Sequence, residues 1–275
     1  MIREPAVAGS FYPSTAKELK ALIKTMIDEK VEKTEVIGYY APHAGYVYSG
    51  PVVGAVVSRV KLADTYIIMG PSHTGMGVPF SIMTEGNWQT PLGEVEIDSE
   101  MAKRILAGST YLKEDTLAHI EEHAIEVQLP FIQYLGKDFK FVPIILQHAT
   151  GAIYKNIGKS IARAIKESGK QVVIVASGDM THYESQKSAR AKDMRAIEAM
   201  LRLDAEELLA RVREINITMC GYAPAAVLIF AAKELGAEKA ELVKYQTSGD
   251  TSGDFSSVVG YAGIIFMPRN EYGEK

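Results

Sequence analysis

The stretch Ala41-Pro42-His43-Ala44-Gly45-Tyr46-Val47-Tyr48-Ser49-Gly50 decides how this chain is read. It follows a short apolar run, Val36-Ile37-Gly38-Tyr39-Tyr40, and precedes a second, Val52 to Val57. The pattern predicts a strand that ends in a histidine-bearing turn and passes into a helix. The same idea recurs downstream. Tyr66-Ile67-Ile68-Met69 runs into Gly70-Pro71-Ser72-His73, and Val172-Val173-Ile174-Val175 runs into Ala176-Ser177-Gly178-Asp179-Met180-Thr181-His182. If these strands are parallel, their carboxyl ends share one edge and the imidazoles of His43, His73 and His182 converge there. In open α/β sheets that edge is where ligands bind.

Working outward, strands alternate with helices along the whole chain. Thr15-Ala16-Lys17-Glu18 has capping-box spacing ahead of Leu19, Leu22, Ile23, Met26 and Ile27, which predicts a first helix. Val78 to Pro91 reads as loop and short strand around Trp88, and Ser99 to Ala107 as helix. Glu121 to Phe131 reads as a further helix, kinked by Pro130. Phe141 to Leu146 is a buried strand. Helices are expected over Ile153–Ser168, Ser185–Leu201, Ala205–Arg213 and Ala225–Leu235, and closing strands over Val243–Gln246 and Val258–Met267, joined by a flexible Ser248–Asp254. Several strands are too uniformly apolar to have a wet face. The expectation is α/β: one domain over residues 1–275, with a mostly parallel, mixed central sheet covered by helices on both faces.

The bulk numbers exclude several classes. The chain has 275 residues, 47% of them hydrophobic and 23% charged, as an ordinary globular protein has. Thirty basic against 34 acidic residues leave a net charge of −4, which argues against a nucleic-acid or anionic-membrane surface. No apolar run approaches the roughly 18 residues needed to span a bilayer. The start, Met1-Ile2-Arg3-Glu4-Pro5, lacks a signal-peptide pattern. A single cysteine, Cys220, cannot form an internal disulfide. A cytoplasmic protein is expected.

The chemistry lies in the histidine turns. One histidine in such a turn is more often a hydrogen-bonding residue than a ligand, but three in the same context point to a site. Convergent neutral imidazoles suit Fe, Zn, Cu or Ni. Cys220 stands just before Gly221 and an apolar helix marked by Pro224. It reads either as a small buried residue or as a thiol whose pKa the helix lowers toward the metal-binding thiolate. His123, between Glu122 and Ala124 and near Glu126, is a candidate to orient a substrate or donate a supporting hydrogen bond. Asp179, three residues before His182, is a candidate to orient that imidazole. His119 reads as a surface residue and His148 as a loop residue. Tyr46, Tyr48 and Tyr183 flank the histidines and either wall an aromatic pocket or simply pack.

Taken together, these residues resemble the Memo family, whose archaeal and bacterial members are also called AmmeMemoRadiSam system protein B. The resemblance runs through Ala8-Gly9-Ser10-Phe11-Tyr12, Ala41-Pro42-His43-Ala44-Gly45-Tyr46, Gly70-Pro71-Ser72-His73, Glu122-His123-Ala124-Ile125-Glu126 with Leu129-Pro130, Ser177-Gly178-Asp179 with His182, and Cys220-Gly221 with Pro224. It implies a fold similar to the class III extradiol ring-cleaving dioxygenases, which open catechol rings with O₂ on non-haem iron. It also implies that His43, His73 and Cys220 surround a metal, that His182 takes the place of the acid/base, and that His123 and Asp179 line the same pocket. Cys220 stands where the dioxygenases have a carboxylate, and its sulfur, the softer donor, widens the choice of metal.

The expected function is therefore a metal-dependent oxidoreductase, most concretely an Fe(II) extradiol-type dioxygenase acting on a small aromatic substrate, with copper or zinc as alternative metals. The other expectation is a non-catalytic protein that uses the same pocket to bind a metal or a peptide. The system name suggests a functional link to a radical S-adenosylmethionine protein and an AMMECR-type protein. The chain has no cysteine triad of its own to hold the radical enzyme's cluster.

Overall fold

The uniformly apolar runs form the centre of the sheet. Gly38–Ala41, Val172–Ser177, Thr65–Pro71 and Lys140–Leu146 lie side by side in that order, all parallel. Almost every residue in them is buried. Such strands have no solvent face, so helices must cover both sides. The computed structural model describes residues 1–136 and 138–269. Around the parallel core the main sheet is mixed. On one side, Val258–Pro268 runs antiparallel to Gly38–Ala41 and is itself paired by Ala237–Thr247 and by His182–Glu184. On the other, Phe80–Ile82 runs antiparallel to Lys140–Leu146 and carries Lys113–Glu114. A small second sheet joins Ile2–Arg3, Asn87–Thr90 and Gly93–Glu96.

Register places the turns. Ala41 pairs with Ser177 and Met69 with Ala176, so the segments that follow these strands leave the sheet at one edge. The helices flank both faces. Leu228, in the helix Tyr222–Glu234, lies against Gly38, while Val52 and Val56, in the helix Tyr46–Arg59, lie against Gly263. Gly38 is paired with Phe266, and Gly263 is an odd number of residues from Phe266. Side chains alternate along a strand, so the two helices sit on opposite faces.

One buried ion pair ties the start of the chain to its middle. Glu126 is wholly buried and accepts hydrogen bonds from the Arg3 guanidinium, the Ala6 and Val7 amides and the Tyr12 hydroxyl. Arg3 also donates to the carbonyls of His119 and Glu122 and stacks on Trp88, 4.4 Å from the ring centroid.

Several expectations need correction. The segment from Glu121 to Phe131 is not one helix. A short helix, Leu117–Ile120, is followed by a loop carrying Glu122 and His123, a 3₁₀ turn at Glu126–Gln128, and the helix Leu129–Leu135. Glu122 marks the break. Its carboxylate accepts from the Ala124 amide two residues on, which in a continuous helix would bond the carbonyl of Ile120, and it also accepts from the His73 amide. Pro130 lies in the first turn of its helix, where its missing N–H costs nothing, so it starts the helix rather than kinking it. His119 is fully buried, not on the surface. The strand expected over Val243–Gln246 extends over Ala237–Thr247, and Ser248–Asp254 contains the short helix Gly249–Ser252, with Asp250 accepting from the Thr247 amide. Among the described residues no helix is long and apolar enough to cross a membrane.

Candidate metal centre

His43 follows the strand Gly38–Ala41 and His73 follows Thr65–Pro71, so both stand at the shared carboxyl edge. The loop between Leu117–Ile120 and Glu126–Gln128 brings in His123. One ring nitrogen from each of these three lies within 4.8 Å of the others, a spacing that could hold a metal ion. His43 is buried, whereas the His73 side chain keeps 34% of its surface exposed, so the cluster is open on the His73 side. His182 is not in this group. Its backbone amide and its ring are held by Thr218, and it stands on the edge strand His182–Glu184. The third imidazole of the cluster therefore comes from the loop at His123 and not from the third strand-end turn.

Hydrogen bonding decides which nitrogen each ring offers. His73 Nδ1 lies 2.8 Å from Glu122 Oε1. With Glu122 ionised, the carboxylate only accepts, so Nδ1 carries the proton and Nε2 keeps the lone pair. At His43, Ser177 Oγ donates its one proton to the Ala124 carbonyl at 2.6 Å and accepts from Gln128 Nε2 at 2.9 Å. His43 Nδ1, 3.1 Å away, is then the donor, and again Nε2 is the free donor atom for a metal. His182 Nδ1 meets the Thr218 carbonyl at 2.8 Å, which fixes the same tautomer. Carboxylate or hydroxyl behind an imidazole is the usual support for a metal-binding histidine.

Cys220 Sγ sits 3.2 Å from His43 Nε2 and 3.2 Å from the Asp179 amide. Gly221, not Cys220, is the N-cap residue of the helix Tyr222–Glu234. Burial and the nearby Asp179 carboxylate push this thiol well above its ordinary range, the reverse of the shift expected from the helix terminus. Asp179 does not touch His182. Its Oδ1 accepts from the His43 backbone amide at 2.9 Å, and burial raises its carboxyl. Beneath them the chain passes close: a Cβ on Gly178 would lie 2.2 Å from the Gly221 Cα, so only glycine lets the two turns meet.

The expected aromatic wall divides. Tyr46 is buried, donates to the Val127 carbonyl and packs on Tyr12 and Phe131. Tyr48 is 41% and Tyr183 79% exposed, at the surface beyond the cluster. The ring against His123 is Phe11, 4.9 Å away. Sequence reasoning passed over Glu122, Ser177, Gln128 and Thr218 as functional residues. The signals available were the adjacency of Glu122 to His123 and the place of Ser177 two residues before Asp179.

Burial sets the electrostatics. Burial alone would raise Glu122, but hydrogen bonds from the His73 ring and amide and from the Ala124 amide bring it down to about 2. Burial would lower His73, yet Glu122 outweighs it and raises the ring. Burial first, and like-charged neighbours second, lowers His43 to about 3 and His123 to about 4, and burial lowers His119 to about 3. Rings held neutral keep their lone pairs at neutral pH. In the unfolded chain each takes a proton near 6.5, so the folded state binds fewer protons below that pH. Stability of the metal-free chain should fall as pH drops from about 6.5 toward 4, by about 1.4 kcal/mol per pH unit for each such histidine. His73, raised, acts in a different window: its contribution is fully present below about 6.5 and is lost as pH rises above that, so it does not change the fall between 6.5 and 4. Glu122 stabilises above about 4.5 and loses that contribution as pH falls toward 2. Urea denaturation with a chelator at pH 7 and pH 5 tests this; equal stabilities would refute it.

The donors suit a transition metal. Imidazole nitrogens with free lone pairs beside a thiol make a borderline-to-soft set, matching Fe, Cu or Zn better than Mg or Ca. Fold and site thus define an α/β protein with a histidine cluster, able to hold a metal ion, at the carboxyl edge of its sheet. A family model described as Memo-like protein matches residues 3–265. A MEMO1 family protein of Methanococcoides burtonii is 48% identical over 266 residues, which cover 96% of this chain and 99% of that one. Another, from Aquifex aeolicus, is 44% identical over 268 residues, with 97% and 99% covered. The chain belongs to the Memo family. Among solved structures, an uncharacterized protein of Escherichia coli K12 has a similar fold, with a TM-score of 0.56 at 12% identity over 83% of this chain and 98% of that one.

Proposed function

We propose that this protein is a non-haem metal-dependent oxidoreductase of the extradiol dioxygenase type, with Fe(II) held by His43, His73 and Cys220. The observation that carries the reading is the support behind the rings: Ser177 and Glu122 engage Nδ1 of His43 and His73 and leave both Nε2 atoms as donors. Cys220 is preferred to His123 as the third ligand for a geometric reason. The His73 and His123 rings are stacked, 4.5 Å apart and 24° from parallel. In-plane lone pairs on stacked rings run nearly side by side, so both cannot point at one ion unless a ring turns. Cys220 Sγ, beside His43 Nε2, is free of that stacking, although it stands outside the group of three whose donor atoms already lie within 4.8 Å of one another.

Bound Fe(II) would supply the redox chemistry with O₂ that ring opening needs. The chain supplies the rest. His182, with its proton fixed on Nδ1 by Thr218, offers Nε2 to take a phenolic proton from a catechol and later return it. His123, wedged between Phe11 and His73, walls the site and is the residue to hydrogen-bond a substrate oxygen. Asp179 acts through the backbone, pinning the turn that carries His43.

His182→Asn should leave iron content unchanged after anaerobic loading and lower catechol turnover by about 10²–10⁴-fold, the usual contribution of a general base. Loss of iron in that variant, or undiminished turnover, would remove His182 from the role. The second reading, a non-catalytic metal- or peptide-binding protein, is favoured by one observation: a thiol stands where a carboxylate would tune iron for oxygen chemistry. It predicts tight metal binding with no turnover of any catechol in either protein.

A further inference from the structure

Two neighbouring cavities lie near the cluster, and the first of them is lined by its residues. One, of about 480 Å³, is lined by His73, Cys220, His148 and Tyr222 among others. The second, of about 760 Å³, shares Gln147, His148 and Tyr222 with the first and extends away from the cluster. Both fall in the size range of small-molecule sites. The shared wall is Gln147 together with a hydrogen-bonded pair, His148 Nδ1 and the Tyr222 hydroxyl, 2.6 Å apart.

The larger cavity has a distinct chemical character. Phe80, Ile153, Leu209 and Val212 give it an apolar body, and its one formally charged lining residue is Arg213. Two arginines lie in the last turn of the helix Ala205–Glu214. Arg211 is buried and paired with both Glu198 and Glu207. Arg213 has no carboxylate partner among the described residues, and no carboxylate lines the cavity. The amino end of the 18-residue helix Gly151–Ser168 opens on the same space, and Thr150 makes no side-chain cap there. Its partial positive charge adds to that of Arg213. An apolar chamber with uncompensated positive charge selects an anion with a hydrocarbon body.

We propose that this chamber binds the non-reacting part of the ligand, an apolar segment ending in a carboxylate or phosphate that Arg213 recognises. The statement that the other end of that ligand faces His73 and Cys220 rests on the metal-centre reading; the anion site itself does not. The His148–Tyr222 pair is then the divider past which the two ends of one molecule lie.

The test is calorimetric titration of the full chain, with a chelator present, using octanoate, monooctyl phosphate and octanol as probes. The chelator separates the two readings, because absence of a metal cannot affect the result. One or both anions should bind at least tenfold more tightly than octanol, and the tighter anion identifies the terminal group. Arg213→Gln should abolish that preference while octanol binding stays unchanged, and Arg213→Lys should restore part of it. Arg213 is exposed, so these variants should fold. Octanol binding as tightly as either anion, no probe binding at millimolar concentration, or an anion preference that survives Arg213→Gln would each overturn the proposal.

Discussion

His43→Ala and Cys220→Ala should each lose the iron that the wild type takes up, about one per chain, after anaerobic reconstitution with Fe(II). The effect should be larger than that of changing a supporting residue, because a missing ligand removes a bond outright. Glu122→Gln provides the comparison. It keeps the shape of the side chain but replaces the carboxylate that holds His73 Nδ1, and outer partners of this kind are worth about 10–100-fold in metal affinity. His123→Ala separates the two possible third ligands: iron retained there and lost in Cys220→Ala supports the thiol, and the reverse pattern supports the imidazole. Elemental analysis after desalting gives the result. Iron equally bound in all variants, or in none including the wild type, would end the Fe(II) assignment.

The second large effect is on stability. Replacing Glu126 by Gln or Ala should cost about 3–5 kcal/mol, the usual consequence of leaving one member of a buried ion pair without its partner. Arg3 is the charge left behind, 4% exposed and stacked on Trp88. The amides of Ala6 and Val7 and the Tyr12 hydroxyl also lose their common acceptor in the Ala variant. A double variant, Arg3→Met with Glu126→Leu, removes both charges and should be less destabilised than the sum of the two single changes. Urea denaturation is the measurement. A loss below 1 kcal/mol in Glu126→Gln would show that the pair contributes little.

The parallel core is legible in the sequence because its strands are apolar on both faces, a pattern only a covered sheet tolerates. His43 and His73 are legible for the same reason: each follows such a strand within a few residues. Their convergence rests on register, which Ala41–Ser177 and Met69–Ala176 pairing supplies. The surroundings are less legible. Glu122 and Glu126 sit at a spacing that reads as the wet side of a helix, and what buries them lies far off in sequence: His73, 49 residues from Glu122, and Arg3, 123 residues from Glu126. His119 looks like a surface histidine for the same reason, since its burial comes from Trp88 and Ser81. The role of Thr218 is hidden because a carbonyl, not a side chain, fixes the His182 ring.

The bond between Arg3 and Glu126 also bears on assembly. Closing it joins residues 123 apart, so it must wait until nearly half the chain is present, and the entropy of so long a loop opposes it until then. The loop that Glu126 and Arg3 hold together is the one carrying Glu122 and His123. The cluster at the sheet edge is therefore expected to form only after that loop closes, and alterations at residues 3–12, remote in sequence from every histidine, should be felt there.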